Sequence, residues 1–125
     1  MPYSLSFRSR QRLSGVHPDL VAVVKRAIEI TEQDFSVLEG VRNIERQRQL
    51  VKAGKSKTLN SRHLTGHAVD LVPYPVSWDW EYFYPIADAM KTAAEELGVD
   101  LEWGGDWKSF PDGPHWELSW DSYPK

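Results

Sequence analysis

Apolar positions set the first frame. Leu20, Val21, Val23, Val24, Ala27 and Ile28 recur at helical spacing behind Pro18, which predicts a helix over 18–30 whose work is packing. Phe35 to Val41 alternates as a short strand, with Gly40 permitting a close approach just before Arg42. A polar, basic helix follows over 43–53, with Asn43 as its cap and Gly54 as its stop, and then a polar loop, GKSKTLNS, over 54–61. HAVDLV alternates as a strand that ends in a turn at Pro73 and Pro75, and Ser77 is placed to cap a short turn through Trp80. Pro85 suits the start of a longer helix lined by Ile86, Ala87, Met90, Ala93, Ala94 and Leu97 and ended by Gly98. Val99–Trp103 and His115–Leu118 are the last two strand candidates, separated by GGDWKSFPDGP. Residues 1–16 read as an extended arm whose Leu5, Phe7 and Leu13 dock on the body. Short helices and strands interleaved by tight turns predict an α+β fold with a small, mostly antiparallel sheet packed with helices.

At 125 residues and 14.4 kDa the chain is one domain, with room for one core and not for two. The absence of cysteine removes disulfide frameworks, thiolate zinc clusters and cysteine nucleophiles together, so any metal must be held by His and carboxylate. No apolar run reaches the roughly 18 residues of a membrane span, and residues 1–10 lack the apolar segment of a signal peptide. Membrane insertion is therefore not expected, and the product starts in a cytoplasm.

The net charge of −3 hides an asymmetry. Residues 1–62 carry 12 Lys or Arg against 6 Asp or Glu, whereas residues 63–125 carry 3 against 12. The basic half invites comparison with a nucleic-acid footprint; the plainer reading is that the two halves attract each other within one fold. Four of the six tryptophans fall between Trp103 and Trp120, which points to a core wall or a cleft in that stretch.

The densest polar constellation is SRHLTGHAVD, residues 61–70, followed much later by DGPHWE, residues 112–117. A hydrolytic zinc without cysteine needs about three His or carboxylate ligands and one position left for water. His63, Asp70 and His115 can supply that set, with Gly66 letting the backbone bend between the first two. Strand parity places Asp70 on the face opposite His67, which travels with Val69 and Leu71 and reads as a core histidine. His17, before a proline, reads as a capping or surface residue. By the same parity His115 and Glu117 share a face, and Glu117 becomes a candidate to orient a ligand from behind. Asp112 sits three residues before His115, where a general base would stand; an ordinary turn aspartate is the alternative.

Ser61-x-His63-x-x-Gly66-x-Ala68-x-Asp70 with Asp112-x-x-His115-x-Glu117 resembles the signature of the LAS zinc metallopeptidases. These include D-Ala-D-Ala dipeptidases and carboxypeptidases of the VanX and VanY type and the hedgehog signalling domain. Length and element order most resemble the small single-domain L-alanyl-D-glutamate peptidases that serve as phage endolysins, over about residues 14–119. The resemblance implies a LAS/hedgehog-like fold with the zinc site on the sheet. It implies His63, Asp70 and His115 as Zn2+ ligands, Asp112 as the acid/base, Arg42 as the oxyanion stabiliser and Ser61 as a substrate-holding residue. Pro114 departs from the pattern, where a second glycine is expected, and removes a backbone donor.

The implied substrate is the peptidoglycan stem peptide, cleaved between L-Ala and D-Glu during host lysis. Trimming of D-Ala-D-Ala ends, or a non-catalytic zinc-containing wall-binding module, are the other outcomes the superfamily offers. Arg46, Arg48, Lys52, Lys55 and Lys57 are available to attract an anionic stem peptide, although a solvated helix face explains them as well. The expected working form is a monomer with no nucleic-acid partner, made in the host cytoplasm and reaching the periplasmic wall through a holin. The charge asymmetry then reads as two sides of one cleft: Arg42 from the basic half facing Asp70 and Asp112 from the acidic half.

Overall fold

The computed structural model describes residues 3–56, 61–109 and 111–124. Its elements are α1 (Phe7–Arg12), α2 (Pro18–Ile30), β1 (Phe35–Glu39), α3 (Ile44–Lys52), β2 (Ala68–Pro73), α4 (Phe83–Leu97), β3 (Leu101–Trp103) and β4 (His115–Leu118). A four-stranded sheet runs β1-β2-β4-β3, and each neighbouring pair is antiparallel. The expected α+β class is what the chain adopts.

Sheet parity creates two chemically different faces. Val37 from β1, Val69 and Leu71 from β2, and Trp116 and Leu118 from β4 are buried with α2 and α4 in one apolar core. Trp103 and Trp116 stack there, with ring centroids 5.6 Å apart. Fully burying a side chain such as Val37, Leu71 or Leu118 stabilises by about 1.5–3 kcal/mol, so this face holds the sheet against the helices. On the opposite face Asp70 pairs directly with His115, and Ala68 with Glu117. The polar constellation is thus on the sheet, away from the core.

The arm differs from expectation. Residues 7–12 form a helix whose N-cap Ser6 accepts from the Ser9 backbone N–H, with Arg10 and Arg12 in its last turn. Six residues are too few to show a periodicity in sequence. Leu5 and Leu13 dock as expected, but Phe7 stays exposed. The helix is held by β1: Ser9 Oγ accepts from Val37 N–H at 3.0 Å and Arg12 donates to the Val37 carbonyl at 3.0 Å. α1 thereby covers an edge strand that would otherwise present unpaired backbone groups.

Smaller differences have local causes. α4 begins at Phe83, so Pro85 sits within its first turn, where its missing N–H has no partner to lose. β3 starts at Leu101 because Val99 N–H is still bonded to the Ala94 carbonyl at the end of α4. Asn43 and Gly98 end their helices as the pattern indicated.

Candidate metal centre

His63 stands in a short 3-10 turn, Arg62–Thr65, between α3 and β2. Ser61 caps that turn, its Oγ accepting from the His63 N–H at 3.2 Å. Gly66 ends it at φ +77, and a Cβ there would come within 2.5 Å of the Gly15 carbonyl oxygen, so both conformation and space require glycine. From that bend the chain enters β2, and Asp70 projects on the same side as His63.

The three ligand atoms offered by His63, Asp70 and His115 all lie within 4.8 Å of one another. His63 Nε2 is 3.2 Å from Asp70 Oδ1 and His115 Nδ1 is 3.3 Å from the same oxygen. The outer ring nitrogens are occupied by groups that only accept. His63 Nδ1 donates to the Gly40 carbonyl at 2.8 Å, and His115 Nε2 donates to Glu117 Oε1 at 2.7 Å. With the ring protons fixed outward, a neutral imidazole turns its lone pair inward beside a carboxylate. That is the donor set and the outer support of a divalent N/O metal site, so these residues fit the zinc that the sequence pattern suggested.

With protons in place of a metal on those inward nitrogens, the same atoms become donors to Asp70. Burial works to raise the Asp70 carboxyl, but hydrogen bonds from His115 and His63 outweigh it and leave the group well below the ordinary carboxylate range. Burial lowers His115, yet Asp70 and Glu117 outweigh it and raise the imidazole to about 9. The cluster is an anionic cradle that holds positive charge.

Arg42 reaches the same centre from the end of β1. Val37 pairs with Leu71 and Glu39 with Asp70, so Leu38 is an extra residue, a β-bulge. The bulge turns Glu39 from the core face to the site face, a common use of such irregularities beside functional sites. Glu39 accepts from Arg42 Nε, Gln47 Oε1 accepts from Nη1 at 2.7 Å, and Nη2 lies 3.6 Å from Asp70 Oδ2. Gly40 passes so close to α1 that a Cβ would meet the Arg12 carbonyl oxygen at 2.0 Å, which bears out the close approach expected there.

Asp112 is on the turn before β4, its N–H bonded to the Gly104 carbonyl at 2.9 Å. The residue is exposed at the mouth of the cleft. Its carboxyl is nevertheless raised above the ordinary range, first by desolvation and then by the charge of Asp70, while His115, His63 and Arg42 pull the other way. Pro114 lends the turn its carbonyl, which accepts from Leu71 N–H at 2.8 Å.

These groups line a cleft of about 880 Å³, together with Ser61, Arg46, Lys55 and Trp107. Trp107 lies against His115, ring centroids 5.1 Å apart. Of the expected basic residues, Arg46 and Lys55 line the cleft, Arg48 and Lys52 are exposed on or beside α3, and Lys57 lies outside the described residues. His17 is a cap, as expected, its Nδ1 accepting from the Asp19 N–H at 3.1 Å. His67 is not in the core: it precedes β2, is half-buried, and bonds Thr65 Oγ1 at 2.6 Å. A residue just outside a strand is not bound by that strand's parity, although it does stay out of the metal cluster.

Several contributors carried no sequence signal. Glu39 depends on the bulge, and Gln47 on its position beneath Arg42. Arg62, buried next to His63, donates from Nη2 to the Leu118 and Tyr123 carbonyls at 2.8 and 2.7 Å. Its guanidinium also lies 4.0 Å from the Trp120 ring centroid.

Comparison with known proteins places this geometry. The family model for phage L-alanyl-D-glutamate peptidase matches residues 1–119. The L-alanyl-D-glutamate peptidase of Escherichia phage T5 is 33% identical over 119 residues, which cover 90% of this chain and 87% of that protein. The crystal structure of the Serratia marcescens L-Ala D-Glu endopeptidase ChiX superposes with a TM-score of 0.91 at 52% identity, covering 95% of this chain and 92% of that one. The vancomycin-resistance D,D-dipeptidase VanXYg shares the fold at a TM-score of 0.53 and 17% identity, covering 82% of this chain and 50% of that one.

Proposed function

The chain belongs to the phage L-alanyl-D-glutamate peptidase family, and on that premise we propose that it is a zinc-dependent endopeptidase that cuts the L-Ala–D-Glu bond of the peptidoglycan stem peptide. The observation that carries the proposal is the inward-facing His63, Asp70, His115 triad with its outer nitrogens tied to Gly40 and Glu117.

His63, Asp70 and His115 hold the metal in this reading. Zinc in such a set supplies Lewis acidity toward a carbonyl oxygen and lowers the pKa of water. Asp112 accepts the proton of the attacking water and returns it to the leaving amine. A raised carboxyl pKa suits both halves of that task, because an ordinary aspartic acid is too weakly protonated near neutral pH to donate. Arg42 directs its remaining N–H groups at the oxygen on which negative charge develops, and Glu39 and Gln47 keep the fork from swinging away. Glu117 and the Gly40 carbonyl fix the two rings. Ser61 combines two duties, capping the His63 turn and holding substrate at the cleft wall.

Endopeptidase action, rather than trimming of D-Ala-D-Ala, follows the family match and the likeness to ChiX over nearly the whole chain. The protein acts as a monomer on the periplasmic wall of its host and depends on a holin for passage. No helix among the described residues is long and apolar enough to cross a membrane.

The test is turbidity loss of purified peptidoglycan with metal removed by chelation and then restored, in wild type, His63→Ala and Asp112→Asn. Activity should vanish with chelation and return with zinc. His63→Ala should lose bound zinc, and Asp112→Asn should keep the zinc but lose activity. Full activity of His63→Ala with its fold intact would show that the metal assignment is wrong.

A further inference from the structure

The segment between β2 and α4, with the first turn of α4, holds an aromatic cluster that the chemistry above does not use. Trp78 is 61% exposed, Tyr84 54% and Trp80 39%. They are not scattered. Trp80 lies 6.0 Å from Tyr84 and 6.2 Å from Trp103, and both Trp78 and Trp80 pack near Phe83, at 6.4 and 6.3 Å between centroids. A contiguous exposed aromatic surface of this kind marks a contact site more often than it marks spare apolar area.

Its position identifies what it contacts. The Phe83 ring would meet a Cβ placed on Gly113 at 3.3 Å, so the cluster leans on the turn that carries Asp112, and Trp78 itself lines the cleft. The two sides of that cleft differ. β1 is one edge of the sheet, and α3 with Arg46, followed by Lys55, continues from it; the β3–β4 turn with Asp112 belongs to the other edge. A basic wall therefore faces an aromatic one across the metal cluster.

The stem peptide is asymmetric in a matching way. On the C-terminal side of the scissile bond are D-Glu and its carboxylate. On the N-terminal side is L-Ala alone, whose amine is joined by an amide to the lactyl group of an N-acetylated amino sugar of the glycan strand. A pyranose chair has flat C–H faces and hydroxyls at its rim, and indole and phenol rings suit such a ligand because they pair an apolar face with a polar edge.

We propose that Trp78, seated on Phe83 beside Trp80, forms a saccharide subsite that stacks on the amino sugar bearing the stem peptide, so that the basic wall takes the D-Glu side and the aromatic wall the glycan side. The inference rests on the endopeptidase reading. It adds that the enzyme recognises stem peptide still attached to glycan over free peptide.

The experiment compares two substrates: a disaccharide-linked stem peptide, and the same peptide with its L-Ala amine acetylated and no sugar. The readout is the ratio of their kcat/KM values. Wild type should favour the sugar-linked substrate by about tenfold or more, the discrimination that one well-placed aromatic contact supplies. Trp78→Ala should bring the ratio close to one, and Trp78→Phe should restore part of it. Because Trp78 is mostly exposed, its truncation opens no cavity in the core, and Trp78→Phe provides a second, milder variant. A wild-type ratio near one, or a ratio unchanged in Trp78→Ala, would overturn the subsite while leaving the peptidase reading intact. Failure of wild type to cleave either substrate would overturn both. Loss of vesicle binding or of self-association in Trp78→Ala, with the ratio unchanged, would reassign the surface to a lipid or to a second copy.

Discussion

Replacing Arg42 by lysine keeps the charge and removes the fork. In the native site Nε serves Glu39, Nη1 serves Gln47 Oε1 at 2.7 Å, and Nη2 stands 3.6 Å from Asp70 Oδ2. A single ammonium cannot meet these acceptors and also present hydrogen-bond donors to a developing oxyanion. Gln47 is fully buried, so its carbonyl oxygen would lose this partner, at a cost of about 1–3 kcal/mol. For a domain of this size that corresponds to a fall in Tm of roughly 4–12 °C. The catalytic loss is larger: removal of one preorganised oxyanion donor costs about 10²–10³ in kcat, roughly 3–4 kcal/mol. The assay is steady-state cleavage of a soluble stem peptide alongside thermal unfolding, in Arg42→Lys and in Arg42→Lys combined with Gln47→Leu. The double variant removes the carbonyl that Arg42 serves, and Ser56, which Gln47 also contacts, is half-buried. Stability should partly recover and kcat should not. Recovery of both together would refute the argument, since it would make Arg42 a structural residue alone, as would a kcat for Arg42→Lys within about fivefold of wild type.

Three further outcomes follow from named contacts. Gly66→Ala should destabilise by roughly 2–4 kcal/mol, from a left-handed backbone and a Cβ 2.5 Å from the Gly15 carbonyl; an unchanged urea midpoint would contradict the packing described. Arg62→Met relieves a buried guanidinium whose Nε and Nη1 have no hydrogen-bond partner among the described residues, but it strips the donor from the Leu118 and Tyr123 carbonyls. The second effect should win by about 1–3 kcal/mol, with faster amide exchange over 119–123; exchange as slow as in wild type would count against it. Glu102 pairs across the β3–β4 ladder with Glu117, and its carboxyl is raised by desolvation and then by Glu117, Asp100 and Asp121. A raised folded-state value means that the stability penalty is absent below the unfolded pKa near 4.3 and grows as pH rises through the folded value. Glu102→Gln should therefore raise the urea midpoint at pH 7 and leave it unchanged below about pH 4, and an equal gain at both pH values would disprove the cause.

The core helices and the strand pair at the site were readable because each rests on local periodicity. Parity within each strand set Asp70 apart from Val69 and Leu71 and put His115 with Glu117, and the antiparallel register then set Asp70 against His115. Gly66 was readable as a bend and Gly40 as a close approach, because glycine at those points has few other uses. What stayed hidden depends on contacts between distant segments. Glu39 alternates toward the core until the bulge at Leu38 reverses it, and a bulge has no composition of its own. Arg62 looks like a surface residue of a polar loop, yet its partners are carbonyls of residues 118 and 123. α1 is too short to announce itself and forms where the edge of β1 holds it. The charge asymmetry was legible as two sides of one cleft, and Arg42 does stand beside Asp70. Setting Arg46 and Lys55 across that cleft from Asp112 required the sheet order.

Mass spectrometry of peptidoglycan digested by the zinc-loaded protein tests the central claim most directly. Free D-Glu amino termini on the released peptides, with L-Ala left on the glycan, are the predicted products, and both should disappear on chelation. Release of D-Ala alone, or new D-Glu termini that persist without metal, would contradict the account.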